Sequence, residues 1–232
     1  MSSIPVYNPI TQLTESTKDA NRAIVERQKS IAFFENLFHK NIHFTTSCTT
    51  ALELAALTIG IQPGDEVIVP SYTFVGTANA FAKLGATIVF IDIDPKTMCI
   101  DANLLEQSIT EKTKAIVPVH YAGNASDIET ILSIARAKNI YVIEDAAQCI
   151  FSYHQQKHLG TFGDIGCISF DYEKNIQCEQ GGLVIINNPE LVEKADKVYN
   201  NGTNKKDFLN GLTENFEWQT LGSNFVLANA HF

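Results

Sequence analysis

From Asn41 onward, short runs rich in valine and isoleucine alternate with amphipathic stretches, and this alternation constrains the fold more than any other feature. The runs are 41–45 (NIHFT), 66–70 (EVIVP), 87–91 (TIVFI), 113–119 (TKAIVPV), 140–144 (IYVIE), 165–170 (IGCISF) and 182–186 (GLVII). Several are apolar on both faces, as strands covered on both sides of a parallel sheet must be. Helical patterns lie between them at 49–59, 73–84, 101–109, 127–138 and 189–200. Pro63-Gly64-Asp65, Gly85, Asp94-Pro95 and Asn139 punctuate the joins. Strand–helix alternation at this spacing predicts right-handed crossovers, hence an α/β domain with a mostly parallel central sheet flanked by helices.

The ends of the chain have a different texture. Residues 1–40 predict an extended, proline-containing lead followed by a helix at about 17–38, and 199–223 is polar and turn-like. The text then stops at NFVLANAHF, inside what resembles the first turn of another helix. A helix cut there has neither cap nor cover, so the expectation is a fragment or a chain completed by another subunit. The predicted organisation is therefore a lead at 1–40, a main domain at 41–200, and at 201–232 a loop opening a truncated C-terminal region.

Composition removes several functional classes. The 232 residues carry a net charge of −9 with only three arginines, Arg22, Arg27 and Arg136, which offers no electrostatic footprint for nucleic acid or an anionic membrane. Five scattered cysteines without a C-x-x-C pair argue against a disulfide framework and a structural zinc site. The histidines show no metal-ligand spacing, so no metal is expected. No apolar run approaches the roughly 18 residues of a membrane span, and the start lacks a secretory pattern, so a cytoplasmic protein is expected.

In an open parallel sheet, ligands sit beyond the carboxyl ends of the strands, so the residues that follow each strand are the candidates. Thr45-Thr46-Ser47-Cys48-Thr49-Thr50 follows the first strand and opens a helix. Small hydroxyl residues there leave free N–H groups at the positive end of the helix dipole, which suits phosphate; a plain N-cap reads the same way. Pro70-Ser71-Tyr72-Thr73-Phe74 follows the second strand and Glu144-Asp145-Ala146-Ala147-Gln148 the fifth. Because neighbouring strand residues face opposite ways, Glu144 and Asp145 do not form a catalytic pair. Asp145 ends a strongly apolar strand and needs a cationic or hydrogen-bonding partner. His120 stands at another strand end, as a site residue or a satisfied structural histidine. After the sixth strand come Ser169 and a loop with Lys174, then Gly181-Gly182. A lysine, an aspartate and a phosphate cradle in this order are the parts a pyridoxal phosphate enzyme needs. The lysine forms a Schiff base, the carboxylate keeps the ring nitrogen protonated, and the helix start holds the phosphate.

TTSCTTALELAAL, IQPGDEVIVPSYTFVGTANAFAKLGA, VFIDIDPKTMCID, KAIVPVHYAG, VIEDAAQ, LGTFGDIGCISF, EKN and LGSN resemble the DegT/StrS-type family of pyridoxal-phosphate-dependent nucleotide-sugar aminotransferases, over most of 41–232. The resemblance implies an aspartate-aminotransferase-like large domain (fold type I), and the expectation is that the C-terminal small domain of the family is missing from these 232 residues. It implies Lys174 as the Schiff-base lysine and proton shuttle, Asp145 on the pyridinium, Gln148 on the phenolic oxygen and Phe74 stacked on the ring. The amides of Cys48 and Thr49 with the Ser169 hydroxyl would hold the phosphate. Asn224 would reach the partner subunit's cofactor in a homodimer. The implied reaction moves an amino group, from a donor such as glutamate, to the 4-keto carbon of a dTDP-linked 6-deoxyhexose for cell-surface polysaccharide synthesis. IQPGDEVIVPSYTFV and VPVHYAG are the segments closest in wording to members acting on such dTDP sugars.

Two departures from the family pattern flank the lysine. Asp171 stands where the family usually has histidine, and Glu179-Gln180-Gly181-Gly182 where it has Gly-Glu-Gly-Gly. They motivate a second expectation, a relative that binds cofactor or sugar nucleotide, or partners an intact aminotransferase, without turnover.

Overall fold

The computed structural model describes residues 16–227. Helix α1 (Ser16–Phe38) leads into strand β1 (Asn41–Thr45) and helix α2 (Cys48–Ile59), followed by β2 (Glu66–Pro70), α3 (Val75–Ala82) and β3 (Thr87–Ile91). A short α4 (Leu105–Ser108) precedes β4 (Thr113–Ile116), α5 (Ile128–Ala137) and β5 (Tyr141–Asp145). A small ribbon, β6 (Tyr153–His154) and β7 (Lys157–His158), comes before β8 (Ile165–Ser169) and β9 (Gly182–Ile186). Helices α6 (Val192–Tyr199) and α7 (Lys205–Leu209) follow.

All seven predicted strands join one sheet in the order β1-β9-β8-β5-β4-β2-β3. From β3 to β8 every pairing is parallel; β9 runs antiparallel to both of its neighbours. A parallel return needs a crossover, usually a helix. The segment between β8 and β9 holds none, so the chain doubles back. This reversal sets the start of β9 beside the ends of β1 and β8. One end of the sheet thus gathers the strand-end loops and Gly182.

The period-two alternation of strands sorts the core. Val67, Val69, Ile143, Ile165 and Cys167 pack under α2, α3 and α6. Ile68, Ile116 and Val142 face α4 and α5, while Ile168, Leu183 and Ile185 meet Phe34 and Phe38 of α1. Helix α2 is apolar almost all round, with Ala51, Leu54, Ala55 and Ala56 inaccessible, because it lies between the sheet and α6. Ser47 caps its start and Gly60, at φ 76°, ends it with N–H bonds back to Ala56 and Leu57.

Several predicted boundaries shift for local reasons. Strand β4 stops at Ile116, just before Pro118, which has no N–H to donate. The helix predicted from 73 starts only at Val75, since Phe74 is extended at φ −69°, ψ 143°. The one predicted at 101–109 is a 3₁₀ turn over Ala102–Leu104 plus α4, and 189–200 likewise begins as a 3₁₀ turn, Pro189–Leu191. The turn-like 199–223 contains α7. Of the helix expected from Asn224, residue 224 pairs with Asn200 in an isolated bridge and 225–227 are irregular. Residues 228–232 and the expected N-terminal lead, 1–15, lie outside the described residues. Among the described residues, no helix is long and apolar enough to cross a membrane.

Candidate active site

A cavity of 390 Å³ opens where the carboxyl ends of the parallel strands meet the starts of α2 and α3. Cys48, Thr49, Phe74, Asp145, Gln148, Ser169 and Lys174 all line it; Asn224 does not. The sheet order therefore brings together residues up to 126 positions apart (174 − 48).

The start of α2 is built to leave donors open. Ser47 Oγ accepts the Thr50 N–H at 3.1 Å while the Ser47 N–H donates to Thr50 Oγ1 at 2.9 Å, a reciprocal capping box. Cys48 and Thr49, the first two residues of the helix, keep free N–H groups among the described residues. Backbones crowd here. A Cβ on Gly182 would stand 2.3 Å from the Ser47 carbonyl, and one on Gly76 would stand 2.7 Å from Thr49 Oγ1. The Cys48 thiol is buried, and burial, then the neighbouring Asp145, hold its pKa well above the usual thiol range. Cys48 thus offers its backbone and no nucleophile.

Asp145 ends β5 with its carboxylate in the cavity wall, 5% exposed. Oδ2 accepts the Thr77 hydroxyl at 2.7 Å and Oδ1 the Ala147 N–H at 3.1 Å. Among the described residues no cation stands within ion-pair distance of it. Burial pushes its pKa up; the bonds from Thr77 and Ala147, with the more distant His120 and Lys174, pull it down only in part. The arrangement suits a bound cation that carries an N–H.

Glu144 points the other way, as strand alternation requires. Its carboxylate accepts the N–H groups of Gly160 (2.8 Å), Phe162 (2.6 Å) and Gly163 (2.6 Å), and it meets His120 Nε2 at 2.9 Å. His120 Nδ1 accepts the Ser126 N–H, so the ring proton sits on Nε2 and donates to Glu144. His120 borders the cavity but is wholly occupied with structure.

Gln148 Oε1 accepts the Ala122 N–H at 2.6 Å, in a turn where Ala122 has φ 52°. Its amide N–H groups stay available to the cavity. Phe74 is 75% exposed at the mouth, an aromatic face with no cover among the described residues. Ser169 Oγ accepts the Asp171 N–H at 3.3 Å, which leaves its own proton free. Lys174 Nζ makes no ion pair or hydrogen bond among the described residues, so the carboxylate of Asp171 does not clamp it. Asp171 Oδ1 is itself enclosed without a hydrogen-bond donor.

Sequence reasoning missed two features. Thr77 braces Asp145 and is itself held by Thr73 at 2.7 Å; the T-x-x-x-T spacing on a helix start was the available signal. Tyr72 and Tyr121 meet hydroxyl to hydroxyl at 3.0 Å beside the cavity, and nothing in the sequence pairs them.

The sequence profile of the DegT/DnrJ/EryC1/StrS aminotransferase family matches residues 22–231. The GDP-perosamine synthase of Escherichia coli O157:H7 is 40% identical over 206 residues, 84% of this chain and 56% of that protein. The spore coat polysaccharide biosynthesis protein SpsC of Bacillus subtilis strain 168 is 35% identical over 212 residues, 89% of this chain and 54% of the other. Among solved structures, NtdA of Bacillus subtilis with bound cofactor PMP superposes with a TM-score of 0.78 at 30% identity, covering 94% of this chain and 51% of that one. The chain thus spans about half the length of the relatives it matches.

Proposed function

This chain belongs to the DegT/DnrJ/EryC1/StrS aminotransferase family, and from that premise we propose that its strand-end cavity holds pyridoxal 5′-phosphate and serves amino transfer to a nucleotide-linked sugar. One observation carries the reading. A buried carboxylate without a cation, Asp145, lies in one cavity with an open helix start and an unengaged lysine. A protonated pyridine ring, a phosphate and an aldehyde are the three complements these groups lack.

When bound, the cofactor supplies an electron sink that lets a carbon–hydrogen bond beside nitrogen release its proton. The chain's residues do the remainder. Asp145 accepts the ring N–H and keeps that nitrogen protonated, because the pair neutralises a charge that burial otherwise disfavours. The N–H groups of Cys48 and Thr49 and the Ser169 hydroxyl hold the phosphate at the positive end of α2. Gln148, with its oxygen fixed by Ala122, turns its amide donor to the ring's phenolic oxygen. Phe74 covers one face of the ring and excludes water there. Lys174 would anchor the cofactor through its amine, and its Nζ is the group in the cavity that could take up and return a proton.

The substrate reading is a nucleotide-linked 4-keto-6-deoxyhexose, with glutamate as donor, for polysaccharide synthesis in the cytoplasm. The chain's own wording favours a dTDP sugar, and the name of the Escherichia coli relative favours a GDP sugar. We place Asn224 at the cofactor of a partner subunit in a homodimer, which accords with its position outside this chain's cavity.

Borohydride reduction of the chain loaded with pyridoxal phosphate, followed by peptide mapping, tests the cofactor reading. A pyridoxyl group on Lys174 is expected; a folded chain that takes up none overturns it. Mixing with glutamate and either the dTDP- or the GDP-linked keto sugar then tests turnover through release of 2-oxoglutarate. The unpartnered Asp171 Oδ1 beside the lysine loop favours one second reading, cofactor binding without turnover. A pyridoxyl adduct with no 2-oxoglutarate released from glutamate in the presence of either sugar would select it.

A further inference from the structure

A second cavity, of 450 Å³, lies at the opposite end of the sheet. Tyr141 and Val142, which begin β5, line it, whereas Asp145, which ends the same strand, lines the first. Lys40 just before β1, Arg136 in the last turn of α5 and Lys157 of β7 converge on it. This grouping runs against the composition, for the chain carries a net charge of −9 and Arg136 is one of three arginines.

Among the described residues, no carboxylate stands within ion-pair distance of any of the three cations. Lys40 Nζ reaches the Asn187 carbonyl at 3.5 Å, and Lys157 Nζ lies 4.4 Å over the Phe162 ring. Burial lowers the Lys157 pKa; Glu144 opposes that, and the charges of Lys40 and Arg136 add to it. Two acids border the cavity. Asp164 is engaged, accepting the Val142 N–H and the Asn188 amide at 2.9 Å each, and Glu190 lies exposed at the rim. One acceptor is unused: Asn187 Oδ1 is buried without a donor while its Nδ2 is fixed on the Gly160 carbonyl at 3.0 Å.

Three uncompensated cations around a cavity ask for an oxyanion, and a buried acceptor beside them asks for a hydroxyl. We propose that this cavity binds a hydroxyl-bearing phosphate ester of the sugar-phosphate class, its phosphate on Lys40, Arg136 and Lys157 and a hydroxyl donating to Asn187 Oδ1. The site is independent of the strand-end cavity and of its cofactor.

Isothermal titration of the full chain with glucose 1-phosphate, inorganic phosphate and glucose tests this. Glucose 1-phosphate is expected to bind saturably at one site, inorganic phosphate more weakly and glucose not at all. The double variant Arg136→Gln/Lys157→Gln should weaken glucose 1-phosphate by ~10-fold or more, as loss of a charge-assisted bond predicts. Ser169→Ala, in the first cavity, should leave it unchanged. If the double variant loses its native circular dichroism, Lys40→Gln makes the same comparison. Absence of saturable binding, equal binding by the charge variant, or a matching loss in Ser169→Ala overturns the proposal.

Discussion

The Thr77 hydroxyl donates to Asp145 Oδ2 across 2.7 Å and ties helix α3 to the end of β5 at a point where the carboxylate is buried. The other oxygen has the Ala147 N–H. Two neutral donors orient the group but do not cancel its charge. Asp145 is thereby held ready for a cation at a fixed angle, at a cost in folding stability.

Asp145→Asn should therefore stabilise the cofactor-free chain at neutral pH. Asp145 has a folded-state pKa raised from its ordinary value, chiefly by burial. The ionised side chain then disfavours folding at every pH above that raised value, and the penalty fades as pH falls through it. Asparagine can keep both contacts, accepting from Ala147 and donating to Thr77. Thermal unfolding should show a higher melting temperature for the variant at pH 7 and a shrinking gap towards pH 4. Added pyridoxal phosphate should raise the wild type more than the variant. A variant less stable than wild type at pH 7 without cofactor would refute the account.

Its neighbour should behave in the opposite sense. Glu144→Leu would orphan the N–H groups of Gly160, Phe162 and Gly163 and the N–H of the His120 ring, a loss of several kcal/mol at about 1–3 kcal/mol for each buried donor left unpaired. Urea unfolding gives the number. A loss under about 1 kcal/mol would mean that water replaces the carboxylate.

Gly182→Ala places a methyl group 2.3 Å from the Ser47 carbonyl and 2.6 Å from the Cys48 nitrogen. Backbone at the start of α2 has to move, so a stability loss of about 1–3 kcal/mol is expected. Weaker uptake of pyridoxal phosphate should accompany it, because the shifted N–H groups are the ones assigned to the phosphate. Fluorescence titration with the cofactor checks the second half; unchanged affinity would remove Cys48 from the phosphate site.

Gln148→Glu retains an oxygen for the Ala122 N–H at 2.6 Å and removes the amide donor that faces the cavity. Folding should be preserved, while the visible absorption band of bound pyridoxal phosphate shifts and its affinity falls. A band identical to wild type would show that Gln148 does not touch the ring oxygen.

Much of the fold was legible along the chain, because strand and helix periodicity, caps and turn residues are local. The seven strands, the opposite facing of Glu144 and Asp145 and the capped start of α2 follow from neighbours within a few positions. So does the need of Asp145 for a partner, since a carboxylate at the end of a Val-Ile run is buried wherever the strand is placed. The helix boundaries at 73–84, 101–109 and 189–200 were less legible. Phe74 sits in extended backbone, and 3₁₀ turns replace the first turns at 102 and 189.

Other features belong to no local stretch. That Asp145 meets Thr77, 68 residues earlier, and Gln148 meets Ala122 depends on β5 lying beside β4 and β4 beside β2. The reversal of β9, which wedges Gly182 against Ser47, depends on the absence of a helix between β8 and β9. Lys40, Arg136 and Lys157 were, in the sequence, three separate surface cations; the sheet's far end makes them one cluster. Periodicity fixes which way a side chain faces its own strand. Only the order in which strands pair decides which distant side chains it faces, because that order is set by burial summed over the whole sheet.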